Sequence, residues 1–184
     1  QKLGAHEMSF QMYVPFNGGS YYRIMHQVSC EEDGQSNCAS NDASIVAMEF
    51  YAENSGSAYI NVGEEVAKMF QVPVDEWFEV SHLIDLTNGI ATLSVNEEKI
   101  HVWPFVYQSR SIEDGVIDLA GVEFKSMTIE EQVRQFYIDD FNFVYAESQD
   151  EIAGCIDDDA LNYDLNATVD DGTCEENSSC IPVG

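Results

Sequence analysis

The segment between Cys155 and Cys174 contains the residues of this chain that most clearly suggest chemistry. It holds six aspartates and no lysine or arginine. Carboxylates packed this closely repel one another, so a cation is their natural neutraliser. Oxygen ligands favour a hard ion, and outside cells the abundant one is calcium. We therefore predict Ca2+ binding through the oxygens of Asp157, Asp159, Asn162, Asp164, Asn166, Asp170 and Asp171.

The same segment lacks the twelve-residue spacing of an EF-hand, so it offers a shell of ligands rather than a defined cage. It has too few apolar side chains to build a core, and a disulfide between Cys155 and Cys174 would hold it together instead. The alternative is a solvated acidic spacer that the disulfide closes without metal.

The whole chain is strongly acidic. Its 184 residues include 34 acidic and 7 basic side chains, for a formal net charge of −27. This charge disfavours nucleic acid and anionic membranes as partners. Hydrophobic residues make up 45% of the chain, which indicates a folded protein. No apolar run is long enough to cross a bilayer and no leader follows Gln1, so we expect a mature, soluble chain without membrane insertion.

The cysteine pattern favours disulfides over metal. None of the five cysteines forms a C-x-x-C pair. Cys30 and Cys38 flank a polar stretch and are predicted to pair with each other, as are Cys155 and Cys174. Disulfides indicate an oxidising setting, so we expect a secreted or cell-surface protein. Cys180 is left over, which suggests a partner outside these pairs.

Short runs of alternating apolar and polar residues fill positions 6–145, with turn residues between them. In "HEMSFQMYV", Met8, Phe10 and Met12 share one face. A meander is predicted over "WFEVSHLIDL", "GIATLSV" and "KIHVW", with turns at Asn88-Gly89 and at "NEE". One helical turn is considered at residues 128–133, where Thr128 and Glu131 fit a capping box.

About ten such strands predict an all-β fold, an antiparallel β-sandwich of jelly-roll type, because a single flat sheet of this size would leave long open edges. The composition changes after Tyr145. We therefore expect a sandwich over residues 1–146, a linker over 147–153 and a small, loop-rich acidic module over 154–184.

Four stretches follow one another in a characteristic order: "MSFQMYVPFNGGSYYRIMH", "DEWFEVSHLIDLTNGIATLSVNEEKIHVWPF", "LAGVEF" and "FYIDDFNF". This order resembles the laminin-G-like, concanavalin-type jelly-roll domains of proteins exported by type IX secretion, over about residues 5–146. The resemblance implies a non-catalytic domain that binds carbohydrate or another ligand. It also implies that Asp139 or Asp140 binds a structural calcium between the sheets. Such domains begin some tens of residues earlier, so completing strands are expected before Gln1 or from another chain.

Residues 154–174 are similar to a second pattern, the repeat "G-C-T-D-x-x-A-x-N-Y-x-x-x-A-T-x-D-D-G-S-C" of the same class of surface proteins. Ile156 and Thr173 are mild departures from it. The repeat often occurs in tandem, and each copy opens with Gly-Cys. The resemblance therefore implies further copies after Gly184, which would explain Cys180.

Aromatic residues dominate the candidate ligand surface: Tyr21, Tyr22, Tyr51, Tyr59, Trp103, Phe105 and Tyr107. A sugar ring stacks on an exposed aromatic side chain beside polar groups, so "HVWPFVY" is the best candidate stretch. We predict that Trp103, Tyr107 and Tyr59 bind a polysaccharide or cell-surface glycan. Ordinary core packing is the alternative for Trp103.

Catalysis finds little support in the sequence. Glu113, Asp118 and Glu123 lack the close spacing on one strand that paired glycosidase carboxylates need, and the four histidines are scattered. We therefore predict a non-catalytic, secreted binding or adhesion module with a calcium-ordered spacer. Two alternatives are a segment of an extracellular fibre that joins another chain or a copy of itself, and an accessory sugar-binding domain of a larger exported enzyme.

Overall fold

The computed structural model describes residues 4–27, 45–112, 117–126, 128–129, 132–133, 135–146, 152–157, 160–164 and 167–175. These residues form strands and no helix. The described part of the chain therefore contains no helix that could cross a membrane. In chain order the strands are β1 (Ala5–Tyr13), β2 (Gly19–Gln27), β3 (Ile45–Glu53), β4 (Ser57–Val62), β5 (Glu64–Gln71), β6 (Trp77–Asp85), β7 (Ile90–Val95), β8 (Glu98–Pro104), β9 (Gly121–Ser126), β10 (Thr128–Ile129), β11 (Gln132–Val133), β12 (Tyr137–Ala146), β13 (Ala153–Gly154) and β14 (Val169–Asp170).

Ten of these strands form two antiparallel sheets of five strands each. Sheet I has the order β12-β1-β6-β7-β8, and sheet II has the order β5-β4-β3-β2-β9. One hydrophobic core fills the space between them and takes side chains from both. The predicted all-β class and jelly-roll sandwich are therefore confirmed.

The core follows directly from the alternation in the sequence. Met8, Phe10 and Met12 of β1 are 3%, 1% and 0% exposed, whereas the residues between them point to the other side of sheet I. Phe10 meets Tyr22 of sheet II edge to face, with ring centroids 5.4 Å apart. Each large side chain buried in this way contributes about 1.5–3 kcal/mol.

The predicted meander is present, and the turn between β7 and β8 has the expected geometry. Asn96 and Glu97 connect β7 to β8 with φ values of 48° and 66°. Positive φ at both central residues is what a two-residue hairpin turn of matching twist requires. Strand β5 was not predicted, because "EEVAKMFQ" lacks clear alternation and all eight of its residues are exposed or half-buried.

The helical turn considered at residues 128–133 is wrong. Thr128 pairs with Val133 and Ile129 with Gln132, which forms a short antiparallel hairpin. A capping box stabilises a helix only when helix-forming residues follow it. Here three of the four paired residues are β-branched, and such residues favour extended backbone.

The C-terminal module packs against the outer face of sheet I. Ile156 and Ala167 form a small buried cluster with Ile90 of β7 and Val102 of β8. Within the module, β13 and β14 run parallel and pair with each other. The apolar contact fixes the module on the sandwich although the module has no large core of its own.

The predicted disulfide between Cys155 and Cys174 is confirmed, with the two Cα atoms 4.9 Å apart. Cys30, Cys38 and Cys180 lie outside the described residues. The division into residues 1–146, 147–153 and 154–184 stays a prediction.

Candidate functional site

Three tyrosines form a row across the outer face of sheet II. Tyr21 of β2 is the cross-strand neighbour of Tyr51 of β3, which is in turn the neighbour of Tyr59 of β4. The ring centroids are 4.9 and 4.7 Å apart, and the rings of Tyr51 and Tyr59 stack with an interplanar angle of 11°. All three side chains are half-buried. The edges of the three rings therefore point away from the core, and so does the outer face of the last ring in the row, that of Tyr59.

Glu49 holds two tyrosines of this row in place through hydrogen bonds. It precedes Tyr51 by two residues on β3, so both side chains lie on the same face, and it is 9% exposed. Its carboxylate accepts hydrogen bonds from the hydroxyls of Tyr21 and Tyr51 at 2.9 and 3.1 Å. It also accepts from Asn61 Nδ2 at 3.4 Å and from Arg110 Nε at 3.1 Å. A carboxylate with four donors is held in one orientation.

These contacts set the protonation states of the site. Burial alone would raise the pKa of Glu49, but hydrogen bonds from Tyr21 and Asn61 and the charge of Arg110 together lower it below its ordinary value. Burial and the negative charge of Glu49 raise the pKa of Tyr51 to about 12 and shift that of Tyr21 upward as well. At neutral pH the site therefore combines a carboxylate with protonated phenols.

Basic side chains are concentrated on this face. Arg23, Arg110 and Lys125 lie here, three of the seven basic residues of the chain. Arg23 Nε and Lys125 Nζ lie 2.6 and 3.1 Å from Glu123 Oε2. Each of these cations has an acidic neighbour, so the face offers donors and acceptors without a large net charge.

We call Tyr21, Tyr51, Tyr59, Glu49 and Arg110 the tyrosine face. Aromatic rings beside fixed donors and acceptors can stack on an apolar patch of a ligand and bind its hydroxyl groups at the same time. This combination suits a polyhydroxylated molecule that is flat on one side.

Sequence reasoning singled out the tyrosines but missed Glu49 and Arg110. A signal for each was present. Glu49 is the only charged residue in "SIVAMEFYA", and Arg110 is one of few cations in a very acidic chain. A lone charge in an apolar strand is expensive to bury unless it is paired, so it predicts a partner.

The three residues predicted to bind ligand do not form one site. Tyr59 belongs to the tyrosine face, whereas Trp103 and Tyr107 line a cleft of about 590 Å³ beside strands β5 and β8. Trp103 is only 2% exposed and belongs to the core, in line with the packing alternative. Its ring also stacks on that of His101, with centroids 5.9 Å apart.

Two aspartates of the acidic segment form local turns. Asp170 accepts a hydrogen bond from the Gly172 amide at 2.9 Å, and Asp171 accepts one from the Thr173 amide at 3.0 Å. The hydrogen bonds from Thr173 lower the pKa of Asp171. These carboxylates thus replace missing backbone partners where the chain reverses direction.

The remaining candidate metal ligands are spread over the module. Asn162 is hydrogen bonded through its amide to the backbone of Thr173 and Glu175. Asp157 is exposed, and Asp164 lies close enough to Lys99 of β8 for their charges to interact. Asp159 and Asn166 lie outside the described residues.

Within the described ranges, no three acidic, histidine or cysteine side chains come together as a group that could hold a metal ion. Asp139 and Asp140 are both exposed on β12, where Asp140 has a φ of 51° at a bulge opposite β1. Asp139 lies opposite Gln11, on the side of sheet I away from the core. Calcium binding at either place stays a prediction.

The carboxylates weighed for catalysis have other contacts. Asp118 accepts a hydrogen bond from the Leu119 amide at 3.0 Å, and Glu123 is paired with Arg23 and Lys125. Glu113 lies outside the described residues. That the chain is not an enzyme stays a prediction.

Comparison with known proteins gives structural neighbours at low similarity. No protein-family model and no curated protein matches the sequence. Among solved structures, a sialidase has a TM-score of 0.43 at 7% identity, over 77% of this chain and 13% of its own. A heptameric pentraxin from Limulus polyphemus has a TM-score of 0.41 at 12% identity, over 78% of this chain and 66% of its own.

A third neighbour, galectin LEC-6 from Caenorhabditis elegans, has a TM-score of 0.37 at 10% identity, over 74% of this chain and 84% of its own. This chain spans less than two thirds of the sialidase and of the pentraxin. At these scores the neighbours share a general likeness, and the fold assignment rests on the strand pairing of this chain itself.

Proposed function

We propose that this chain is a non-catalytic carbohydrate-binding module and that the tyrosine face is its binding surface. The observation that carries the proposal is the Glu49 carboxylate, which two tyrosine hydroxyls and Arg110 hold in place directly beside a stacked row of rings. Such fixed polar groups need no reorganisation when a hydroxylated ligand arrives, which lowers the entropic cost of binding.

Charge favours a neutral glycan as the ligand. The net charge of −27 repels polyanions at long range. On the face itself, Arg23 and Arg110 are already paired with acidic side chains, so an anionic sugar would have to compete for them. A neutral sugar can use the same groups through its hydroxyls without displacing these pairs.

An extracellular location, with adhesion to glycans on a surface, is part of the proposal. The Cys155–Cys174 disulfide supports it, because the cytosol keeps such thiols reduced. The resemblance to domains of type IX secreted proteins supports the same location. The acidic module would then act as a spacer that calcium orders.

The binding test starts from an array of neutral and acidic glycans probed with the full chain, followed by calorimetry on the strongest neutral ligand. We expect Tyr59→Ala and Arg110→Gln each to raise the Kd by about tenfold or more, as for central residues of other interfaces. Tyr137→Ala is the matched control, since it removes a tyrosine that is 52% exposed on a different strand.

Two results would contradict the proposal. One is an array on which no neutral glycan binds. The other is a neutral glycan whose affinity is the same for Tyr59→Ala, Arg110→Gln and Tyr137→Ala, because the ligand would then bind elsewhere. Circular dichroism of each variant separates loss of binding from loss of fold.

A second candidate function, a segment of an extracellular fibre, is supported by the free edge of sheet I. Among the strands that the structure describes, β12 pairs only with β1. It carries the exposed side chains of Tyr137, Phe141, Phe143, Val144 and Tyr145, at 52%, 49%, 50%, 41% and 70%. A long edge strand with this much apolar surface can accept a strand from a neighbouring molecule.

A further inference from the structure

Three aromatic side chains form a second row, on the outer face of sheet I at the end where β6 begins. Tyr13 of β1 is the cross-strand neighbour of Tyr137 on one side and of Trp77 on the other. Its ring centroid lies 6.0 Å from that of Tyr137 and 5.5 Å from that of Trp77. Cross-strand neighbours share a face of the sheet, and Phe78, which follows Trp77, points into the core. We call Tyr137, Tyr13 and Trp77 the sheet I row.

The two outer members of the sheet I row are accessible. Trp77 is 50% exposed and Tyr137 is 52% exposed. The pairing of β6 with β7 covers only Val80–Asp85, so no described strand pairs with β6 on the side of Trp77 away from Tyr13. Tyr137 lies on β12, at the edge of sheet I. Both rings therefore have surface that another molecule can reach.

Asp75 holds this end of the sheet in one arrangement. Its carboxylate accepts hydrogen bonds from the Phe16 amide at 3.0 Å and from the Tyr13 hydroxyl at 3.4 Å. Its own amide donates to the Val14 carbonyl at 3.0 Å. These bonds join the segment before β6 to the end of β1 and to the loop that follows it. A surface that is fixed in this way needs little rearrangement on binding, which lowers the entropic cost.

The surroundings of the sheet I row are acidic. In the next position along the same face, Gln11 lies between Asp139 and Glu79 as the cross-strand neighbour of both. Strands β12, β1 and β6 contain no lysine or arginine. The faces of aromatic rings are negative as well, and they attract arginine more often than lysine. Rings and carboxylates together therefore favour a cation over a neutral or anionic ligand.

The orientation of the rings distinguishes a cation from a sugar. The ring planes of Trp77 and Tyr137 are tilted by 51° and 66° from that of Tyr13. A flat sugar chain stacks best on rings that share a plane, and these three rings do not. A guanidinium group is small and planar, so it can lie against a single ring. The sheet I row therefore suits separate cationic groups better than a continuous sugar surface.

We infer that the sheet I row is a docking site for a basic segment of a partner protein, whose arginine side chains lie against Trp77 and Tyr137. Two cross-strand steps separate these residues, roughly 10 Å. In a polyproline II segment, residues three positions apart point to the same side and lie about 9 Å apart. An Arg-x-x-Arg spacing would therefore reach both rings.

A second copy of this chain is a poor source of such a segment. Only 7 of its 184 residues are lysine or arginine, and its net charge of −27 repels another copy. Three of the seven, Arg23, Arg110 and Lys125, are already paired with acidic side chains. The occupant is therefore a different, basic protein. This inference does not depend on the glycan proposal, because the tyrosine face lies on the other sheet.

The probe is the peptide Gly-Arg-Pro-Pro-Arg-Gly with blocked ends. Its citrulline analogue is the matched control, because citrulline keeps the shape of arginine without the charge. The chain has two tryptophans, so a ¹H–¹⁵N spectrum of the full chain shows two indole signals, and Trp77→Phe assigns them. We expect the arginine peptide to shift the Trp77 signal and the citrulline peptide to leave it in place. Trp103 is 2% exposed, and its signal is the internal reference that stays constant.

Substitutions locate the peptide on the molecule. Tyr137→Ala is expected to raise the Kd about fivefold, through loss of one ring–cation contact. Tyr145→Ala is its matched control, since it removes a tyrosine that is 70% exposed at the other end of the same strand. Glu79→Gln is expected to raise the Kd about threefold at low ionic strength. Glu53→Gln, which removes an exposed charge from β3 of sheet II, should leave it unchanged.

The inference is overturned if the arginine peptide shifts neither indole signal, or shifts that of Trp103 as much as that of Trp77. It is also overturned if the citrulline peptide or a neutral glycan shifts the Trp77 signal as strongly. Equal Kd values for Tyr137→Ala and Tyr145→Ala would show that only the overall charge of the chain attracts the peptide. Because Tyr137→Ala should weaken the peptide but not a neutral glycan, the two binding surfaces can fail independently.

Discussion

His82 is expected to make the stability of this protein depend on pH between 7.5 and 5. It is fully buried on β6, and its Nε2 is hydrogen bonded to the Tyr22 hydroxyl at 2.8 Å. No acidic group contributes to its pKa, which burial alone lowers from 6.5 to about 3. The folded state therefore keeps His82 neutral under conditions in which the unfolded chain protonates it.

The sign and size follow from proton linkage. Because the unfolded state binds the extra proton, the free energy of unfolding falls as the pH decreases. The contribution of His82 is complete above its unfolded pKa of 6.5 and is lost progressively towards its folded pKa of about 3. Between pH 7.5 and 5 the loss amounts to about 2 kcal/mol, at about 1.4 kcal/mol per pH unit below 6.5. A folded pKa one unit higher would change this figure very little.

Urea unfolding at pH 7.5, 6.5, 5.5 and 5.0 measures the effect in the wild type and in His82→Gln. The variant has no titrating group at this position but keeps a polar partner for Tyr22, so its stability should fall about 2 kcal/mol less over the same range. Should His82→Gln fail to fold, the double variant Tyr22→Phe, His82→Leu removes both polar partners together. Parallel losses in wild type and variant would refute the reasoning, because other groups would then account for the whole slope.

Three further predictions concern the module and the free edge. Cys174→Ser should cost the module about 3 kcal/mol and speed its hydrogen exchange, while the melting of the sandwich stays unchanged. Calcium should protect residues 150–180 from proteolysis and EDTA should reverse this, and an unchanged cleavage rate would argue against the ion. The wild type should self-associate in sedimentation velocity and Phe143→Ser should not, at a stability cost below about 1.5 kcal/mol, since Phe143 is 50% exposed. A monomeric wild type would speak against the fibre.

The alternation of apolar and polar residues along the strands made most of the sandwich predictable from the sequence. Strands such as β1 and β6 bury one side and leave most of the other partly exposed, so their sequences carry the period of the sheet. Strand β5 was not predicted because it lies at the edge of sheet II, where neither of its faces is fully covered. Its sequence therefore does not need to alternate between apolar and polar residues. The hairpin of β10 and β11 was not predicted because a two-residue strand is too short to show an alternating pattern of apolar and polar residues.

The candidate site was predicted only in part, because it depends on cross-strand neighbours. Tyr21, Tyr51 and Tyr59 are up to 38 positions apart in the sequence and meet only through the register of β2, β3 and β4. Arg110 reaches Glu49 from a connection after β8, across a separation of 61 residues. Residue types suggested a ligand surface, but the pairing that assembles it is not encoded in local pattern.

The outer faces of the two sheets differ in a way that favours sheet II as the proposed binding surface for glycans. On sheet I, Ile90 and Val102 point outward, and the module covers them with Ile156 and Ala167. On sheet II the outward side chains include stacked tyrosines and paired charges, which tolerate water. Covering the apolar face with the module removes a surface that would otherwise promote aggregation. It follows that Val102→Lys should release the module and leave the proposed glycan binding on sheet II intact.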